Sequence, residues 1–154
     1  MQNMNILIFR DDGIGDLIVS SSLIERLLLI NESTKITLIT SNRNFKYAEI
    51  LLNNKKISKI INIDDYKSPI SGFFAIYNKL KITYYDHVFI LNSSNRAMIL
   101  AKMIKTKYIS GIVPLNSESN GRNRYKPIKK LNSKLKNEFM RKADNEQIYI
   151  FFLT

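Results

Sequence analysis

The residues best suited to chemistry lie in one short segment, Arg10-Asp11-Asp12-Gly13-Ile14-Gly15-Asp16. It directly follows the apolar run Asn5–Phe9, which predicts a buried strand. In doubly wound sheets, ligands bind at the carboxyl ends of the strands, and the turn after the first strand is a favoured place. The carboxylates of Asp11, Asp12 and Asp16 would repel a pyrophosphate. The segment is therefore better suited to a hydroxyl group that must lose a proton.

The glycines of this segment do not complete a known phosphate-binding motif. Gly13 and Gly15 give the start of G-x-G-x-x-G, but the third glycine position is Ile18. No Gly-Lys-Ser or Gly-Lys-Thr follows, so the P-loop pattern also fails. A single-domain nucleotide-binding enzyme is accordingly the least favoured of the enzymatic hypotheses.

Asp16 has two competing interpretations at this stage, as an acceptor for a ligand hydroxyl and as a helix N-cap. Its spacing before the apolar periodicity of Leu17–Ile30 favours a helix N-cap, whose side chain accepts the first free backbone N–H groups. A carboxylate at that place is also held ionised by the helix dipole, which makes it a ready hydrogen-bond acceptor but not a strong base.

Composition excludes several classes of protein and site. The chain of 154 residues has the length of one ordinary domain, and its apolar and charged fractions are those of globular proteins. It has no Cys and a single His, His87, so disulfides, thiolate metal sites and multi-His metal sites are excluded. His87 begins a strand and is expected to be packed or hydrogen-bonded rather than catalytic. The N-terminus lacks the basic region of a signal peptide, and no apolar run reaches the ~18–20 residues that span a bilayer.

The net charge of +11 is concentrated in one stretch, Arg122–Lys142, which holds nine basic residues and one acid, Glu138. One interpretation is a solvated face. The other is attraction to a polyanion such as a phosphorylated glycolipid, an anionic membrane surface or nucleic acid. Nucleic acid is disfavoured because the stretch contains only Tyr125 and Phe139 as aromatic residues.

Strand-like and helix-like segments alternate along the first two thirds of the chain. The predicted strands are Asn5–Phe9, Lys35–Thr40, Lys59–Ile63, His87–Leu91 and Tyr108–Ile112. The predicted helices are Leu17–Ile30, Phe45–Leu52, Ile70–Leu80 and Arg96–Ile104. This alternation indicates βαβ units and a Rossmann-like, doubly wound α/β fold with a parallel sheet that is covered on both faces.

The alternation of strand-like and helix-like segments ends near Val113. Residues 114–131 are predicted to form a long polar loop, followed by a basic amphipathic helix over Ser133–Ala143. The apolar residues 148–154 end the chain without a polar tail, which is interpreted as a sign that the chain is cut short.

The run from Asn5 to Ile18 resembles the opening of glycosyltransferase family 9, the lipopolysaccharide heptosyltransferase family. Members begin with an apolar strand and then a pattern like Arg-x-Asp-x-Ile-Gly-Asp-Leu. The matching positions are Arg10, Asp12, Ile14, Gly15, Asp16 and Leu17. Ile-Gly-Asp directly after the first strand is not a general Rossmann feature, so this motif is fairly specific.

A second stretch, Tyr85 to Ala97, is similar to another part of the same family. It matches a Tyr-Asp pair, an apolar strand and a His/Asn-Ser-Ser-x-Arg-Ser turn, here Asn92-Ser93-Ser94-Asn95-Arg96-Ala97. Together the two motifs extend the resemblance over about residues 4–113. A departure from the family pattern is Ser20-Ser21-Ser22, where members often have Thr and Pro.

The resemblance implies a GT-B architecture of two Rossmann-like domains, with this chain as the N-terminal, acceptor-binding one. Asp16 matches the carboxylate regarded as the general base of an inverting, metal-independent transfer. The residues implied to bind the acceptor are Asp12, Gly13, Gly15, Ser93, Ser94 and Arg96. Gly15 would let the backbone approach the sugar closely, and Arg96 would suit an acceptor carboxylate or phosphate.

The resemblance further implies that the donor, typically ADP-heptose, is bound by a C-terminal domain that this chain lacks. No cofactor or metal is expected on the chain itself. Residues 1–113 are assigned to the acceptor domain and 114–154 to its loop, basic helix and terminal apolar segment. The expected setting is bacterial lipopolysaccharide or related glycan synthesis, in the cytoplasm or at the inner membrane face, with a lipid-linked glycan acceptor.

Two accounts of the chain therefore stay open. In the first it is the acceptor half of a heptosyltransferase-like enzyme, truncated or completed by a separately encoded C-terminal domain, and inactive alone. In the second it is a non-catalytic module that binds an anionic lipid or a partner through Arg122–Lys142. Nucleic acid is not expected as a partner in either.

Overall fold

The computed structural model describes residues 3–66, 68–92, 94–114 and 125–127. The strands are β1 (Asn5–Phe9), β2 (Lys35–Thr40), β3 (Lys59–Asn62), β4 (Tyr85–Ile90), β5 (Thr106–Pro114) and β6 (Tyr125–Pro127). The helices are α1 (Ile14–Ile30), α2 (Phe45–Asn53), α3 (Pro69–Leu80) and α4 (Asn95–Met103), and a short 3-10 helix spans Ile63–Asp65.

The strands form one sheet in the order β3-β2-β1-β4-β5-β6. The first five are parallel, and β6 pairs antiparallel with the end of β5. Each parallel neighbour along the chain is joined by a helical crossover, as parallel pairing requires. The predicted Rossmann-like α/β fold is confirmed.

Two apolar cores, one on each face of the sheet, explain why the strands are near-continuous apolar runs. One core joins β-strand residues such as Ile8 to α1 and α2, through side chains that include Leu17 and Leu51. The other joins residues such as Leu7 to α3 and α4, through side chains that include Ile76 and Leu100. A strand that is buried on both faces has no reason to alternate apolar and polar residues.

The helix boundaries depart from the sequence prediction at one place that matters for the site. α1 begins at Ile14, so Gly13 is its N-cap and Asp16 lies inside its first turn. The prediction that Asp16 is the N-cap is wrong, because the backbone turns into the helix directly after Gly13 and Leu17 N–H already donates to the Gly13 carbonyl at 3.2 Å.

The long polar loop predicted for 114–131 is interrupted by β6, which pairs with β5 between Ile112 and Pro114. Ser93, the predicted basic helix Ser133–Ala143 and the apolar segment 148–154 lie outside the described residues. None of the helices within the described ranges is both long and apolar enough to cross a membrane.

His87 is buried on β4, as expected for a packed residue. Its Nε2 atom lies 2.7 Å from the Ser110 hydroxyl on β5, and its ring stacks on Phe89 at a centroid distance of 4.1 Å. Burial lowers the pKa of His87 to about 4.

Candidate functional site

The register of the sheet brings the loops after four strands together at one edge. Phe9 at the end of β1 pairs with Ile39 on β2 and with Ile90 on β4, and Ile39 pairs with Ile61 on β3. The residues that follow these strands therefore lie side by side at the carboxyl edge of the sheet. Arg10–Asp16 occupies the centre of this edge, and 91–96 lies beside it.

Arg10 connects the two loops. Its buried guanidinium donates from Nη1 to Asp12 Oδ2 at 3.0 Å and to the Leu91 carbonyl, and its Nη2 atom lies 3.5 Å from Asp16 Oδ1. A guanidinium presents several donors in a rigid plane, so one side chain can hold two carboxylates and a carbonyl together. Arg10 matched the family pattern in the sequence, but this bridging role requires the β1–β4 register to be known.

The Asp16 side chain is held by Arg10 on one side and is open to solvent on the other. One carboxylate oxygen faces Arg10, whereas 56% of the side-chain surface is exposed. The first turn of α1 favours a negative charge because the backbone N–H groups there are free of helix partners. The side chain is thus a hydrogen-bond acceptor held at the edge of the sheet, within reach of a ligand.

The two glycines of the loop differ in what surrounds them. A Cβ atom at Gly13 would lie 3.1 Å from Asp16 Oδ2, so a side chain at position 13 would press on that carboxylate. A Cβ atom at Gly15 would meet no atom within 4 Å. Packing within the described residues does not require glycine at 15, which leaves open space in front of the backbone for a ligand.

Ser94, at the end of the second loop, and Arg96, in the first turn of α4, line a small cleft together with Asp11. Ser94 is the N-cap of α4, and its hydroxyl accepts a hydrogen bond from Ala97 N–H at 3.3 Å. The apolar floor of the cleft includes Phe9 and Ile39. Two predicted acceptor-binding residues are therefore at the same edge as the Asp12–Asp16 loop, and the third, Ser93, lies outside the described residues.

Unsatisfied polar atoms concentrate at this edge. Seven buried side-chain nitrogen or oxygen atoms in the described ranges lack a hydrogen-bond partner, and six of them lie at or after the carboxyl ends of strands. These six are Arg10 Nε, Asp12 Oδ1, Thr40 Oγ1, Asn92 Oδ1, Arg96 Nε and Arg96 Nη2. Buried polar groups in proteins are normally hydrogen-bonded, so the cluster marks where a polar ligand would bind.

The pair of free atoms on Arg96 has a particular geometry. The Nε–H and Nη2–H bonds of a guanidinium point in the same direction and form a fork that matches the two oxygens of a carboxylate or phosphate. Neither atom has a partner among the described residues. Arg96 therefore has an unpaired bidentate edge that is buried beside the cleft.

Asp11 and Asp12 are affected by their partial burial. Burial raises the pKa of the Asp11 carboxyl, and nearby Asp12 acts in the same direction while Arg96 opposes it. Burial likewise raises the pKa of Asp12, and the Arg10 guanidinium is the main opposing influence. The acids of this loop therefore have different environments, with Asp11 facing the cleft and Asp12 tied to Arg10.

Two asparagines that were not predicted from the sequence form hydrogen bonds at the carboxyl ends of β2 and β3. Asn44 donates from Nδ2 to the Arg10 carbonyl at 2.6 Å and accepts from Ser41 N–H at 3.1 Å. Asn62 donates from Nδ2 to Asn42 Oδ1 at 2.7 Å. The available signal was their position at or shortly after the ends of apolar strands, where a doubly wound sheet gathers its polar loops.

Solved structures with a similar fold include glycosyltransferases. A glycosyl transferase family 9 structure from Veillonella parvula DSM 2008 has 21% sequence identity and a TM-score of 0.60, over 71% of this chain and 32% of that one. E. coli heptosyltransferase WaaC with ADP-2-deoxy-2-fluoro heptose has 15% identity and a TM-score of 0.55, over 68% and 35% of the two chains. E. coli ADP-heptose lps heptosyltransferase II has 19% identity and a TM-score of 0.51, over 65% and 28%.

These likenesses confirm the predicted resemblance to family 9 at the level of the fold. The chain spans about a third of the length of the solved structures it matches. No family model matches the sequence, and no curated protein matches it closely enough to be counted as a relative.

Proposed function

We propose that this chain is the acceptor-binding domain of an inverting glycosyltransferase of the family 9 type. The observation that carries the proposal is the Arg10-held pair of carboxylates, Asp12 and Asp16, at the first turn of a fold similar to that family. A partly exposed, oriented carboxylate at a sheet edge with unsatisfied polar atoms is suited to binding and deprotonating a sugar hydroxyl.

In the proposed reaction Asp16 acts as general base. Its carboxylate accepts the proton of the acceptor hydroxyl while that oxygen forms a bond to the anomeric carbon of a nucleotide-activated sugar. The bond from the anomeric carbon to the donor phosphate breaks on the opposite side, and the nucleoside diphosphate leaves with the electron pair. The configuration at the anomeric carbon is inverted.

The acceptor is proposed to be anionic near the reacting hydroxyl. Arg96 would bind a carboxylate or phosphate through its Nε and Nη2 atoms, and Ser94 would line the same cleft. Asp12 would accept a hydrogen bond from a sugar hydroxyl through its unpaired Oδ1 atom. Gly13 and Gly15 would admit the sugar ring close to the backbone, and Ser93 is proposed for the same surface from the motif alone.

The setting follows from the resemblance. We assign the acceptor to a lipid-linked glycan of the lipopolysaccharide type, and the donor to a nucleotide sugar of the ADP-heptose class that binds a second Rossmann-like domain. On this proposal the isolated chain binds acceptor and does not catalyse transfer without that domain.

The proposal is tested by titrating the chain calorimetrically with a deacylated lipopolysaccharide core oligosaccharide. We expect Arg96→Ala to weaken binding by about 10- to 100-fold, the usual cost of a lost hydrogen-bonded charge. Asp16→Asn should change the affinity little, because a base acts in the transition state. Combined with a family 9 donor-binding domain, the same Asp16→Asn chain should lose transfer.

Glu49→Gln on α2 is the control matched in charge to Asp16→Asn, since Glu49 is exposed and lies outside the site. Binding that is equal for the native chain, Arg96→Ala and Glu49→Gln would contradict the proposed acceptor site. Undiminished transfer by Asp16→Asn would contradict its role as base while leaving the acceptor site in place.

A further inference from the structure

The outer surface of α3, α4 and the turns after them carries apolar side chains that the core does not use. We call this surface the α3–α4 face. Its exposed apolar residues are Ile70, Phe74, Ile82, Ile99 and Met103. Ile70 and Ile82 are 73% and 78% exposed, respectively, whereas Ile76 and Leu80 of α3 are fully buried in the core. Exposed apolar side chains that cluster on a folded domain can mark an interaction site.

Helix geometry places these residues together. Ile70 and Phe74 are four residues apart on α3, and Ile99 and Met103 are four apart on α4, so each pair shares one side of its helix. The two helices contact each other on the same side of the sheet.

The turns that follow α3 and α4 are also adjacent. Tyr85 N–H donates to the Lys105 carbonyl at 3.0 Å, so the turn that carries Ile82 lies beside the turn that follows α4. The exposed residues of the face are therefore distributed from the carboxyl edge of the sheet to its amino edge.

All charged residues on this face are basic. Residues 68–84 and 94–107 contain no Asp or Glu. The exposed lysines on these segments are Lys79, Lys81, Lys102, Lys105 and Lys107. Within the described ranges none of these lysines forms an ion pair with a carboxylate. The α1–α2 layer on the other face differs, because it carries Glu25 and Glu49 among its basic residues.

Some of the lysines lie along aromatic rings at the surface. The Lys81 ammonium is 5.6 Å from the centre of the Tyr77 ring, and the Lys107 ammonium is 5.2 Å from that of Tyr108. A lysine in this arrangement covers apolar surface with its stem and keeps its charge at the periphery.

We propose that the α3–α4 face binds the surface of an anionic lipid bilayer. Exposed aliphatic and aromatic side chains that alternate with lysines match a headgroup layer, which offers phosphate charge above hydrocarbon. A nucleic acid would use the lysines but leave Ile70, Phe74 and Ile82 in water. This inference rests on exposure and charge and stands independently of the proposed transfer.

The placement has a consequence for the candidate site. α3 and α4 both begin at the carboxyl edge of the sheet, so Ile70 at the start of α3 and Arg96 at the start of α4 lie at that edge. When the α3–α4 face rests on a bilayer, the sheet edge with Asp16 borders the membrane surface, where the glycan of a lipid-linked acceptor would be.

The first test uses a single fluorophore, because the chain has no tryptophan. Phe74→Trp and the control Leu29→Trp, on the opposite layer, are mixed with vesicles made of equal parts phosphatidylglycerol and brominated phosphatidylcholine. Leu29 is exposed like Phe74, so the two reporters start in water. We expect the emission of Trp at 74 to shift to shorter wavelength and be quenched, and that of Trp at 29 to stay unchanged.

The second test separates location from total charge. The variant Lys81→Gln/Lys102→Gln/Lys105→Gln and the control Lys35→Gln/Lys46→Gln/Lys59→Gln each remove three charges from a chain of net charge +11. Each lysine near an anionic surface contributes about a fivefold increase in partitioning, so the first variant should bind about a hundredfold more weakly in sedimentation with the same vesicles. The control should bind nearly as the native chain does.

The outcomes decide the proposal. Equal losses in the two charge variants would show binding by net charge and overturn it. The proposal also fails if neither tryptophan is quenched, or if the native chain sediments equally well with vesicles of pure phosphatidylcholine. Loss of binding only on Lys129→Gln/Lys130→Gln/Lys134→Gln/Lys136→Gln would assign it to the C-terminal basic segment instead. Matching thermal unfolding of all variants confirms that each is folded.

Discussion

Single side chains at the carboxyl edge hold one another in place, and Arg10 is the centre of this arrangement. Its single positive charge faces two of the three acids in Arg10–Asp16, and it fixes the loop after β1 to the loop after β4. A buried guanidinium with an unsatisfied Nε atom costs free energy that the fold offsets elsewhere. Concentration of such costs in one place is typical of functional sites.

The glycines of the loop give a prediction in which stability and binding change in opposite directions. Gly15→Ala should raise the free energy of unfolding by about 0.5 kcal/mol, because alanine is the better helix former and its Cβ meets no atom within 4 Å. The same Cβ should weaken binding of the core oligosaccharide, since it occupies the open space. Urea unfolding and calorimetry measure the two effects. Unchanged oligosaccharide affinity would mean that no sugar approaches Gly15.

Asp11 gives a prediction for pH dependence. Burial raises its pKa in the folded protein, so the ionised form costs stability at every pH above that pKa. Asp11→Asn should therefore raise the free energy of unfolding at about pH 7, and the gain should shrink as the pH falls toward the ordinary aspartate pKa. Urea unfolding across this pH range measures it, with exposed Glu49→Gln as the control. A gain that does not depend on pH would contradict this account.

At the scale of elements, the strands were predictable and the start of the site helix was not. The apolar runs predicted the ends of every parallel strand to within about two residues, because strands buried on both faces consist almost entirely of apolar residues. The G-x-G spacing at Gly13 and Gly15 indicated a turn, whereas only Gly13 lies outside α1.

The contacts of the site were only partly predictable. The two loops that form it were expected from the family motifs. The Arg10–Leu91 and Asn44–Arg10 hydrogen bonds were not, because both depend on the register between strands that are far apart in sequence. The role of Asp11 as a wall of the cleft was missed for the same reason.

The β4–β5 pair supplies a prediction about acid stability. Burial lowers the pKa of His87 to about 4, against an ordinary value of 6.5. The unfolded chain therefore binds a proton between these values that the folded chain does not. His87 therefore costs no stability above about pH 6.5. The free energy of unfolding should fall by on the order of 3 kcal/mol as the pH drops from about 6.5 to about 4.

The variant His87→Gln isolates this contribution, because glutamine does not titrate and can still pair with the Ser110 hydroxyl. Its free energy of unfolding should be lower than that of the native chain at neutral pH but should vary less between about pH 6.5 and about pH 4. An equally steep decline in the variant would show that another group is responsible.

At the scale of the whole molecule, the helix layers on the two faces of the sheet differ in charge. Both helix layers close a core and expose some apolar side chains, but the α1–α2 layer carries mixed charge, whereas the exposed charges of the α3–α4 layer are all basic. The carboxyl edge between them holds the candidate site. This division would let one domain rest on a lipid surface and present a glycan to Asp16 at the same time.

The most direct test of the acceptor site is a map of where a glycan binds, by two-dimensional NMR of the labelled chain titrated with lipopolysaccharide core oligosaccharide. The account predicts saturable shifts of the backbone amides at the carboxyl edge, among them Gly13, Gly15 and Arg96. The amide of Thr83, at the opposite edge, should stay still. Shifts centred on the amino edge, or none at saturating oligosaccharide, would contradict it.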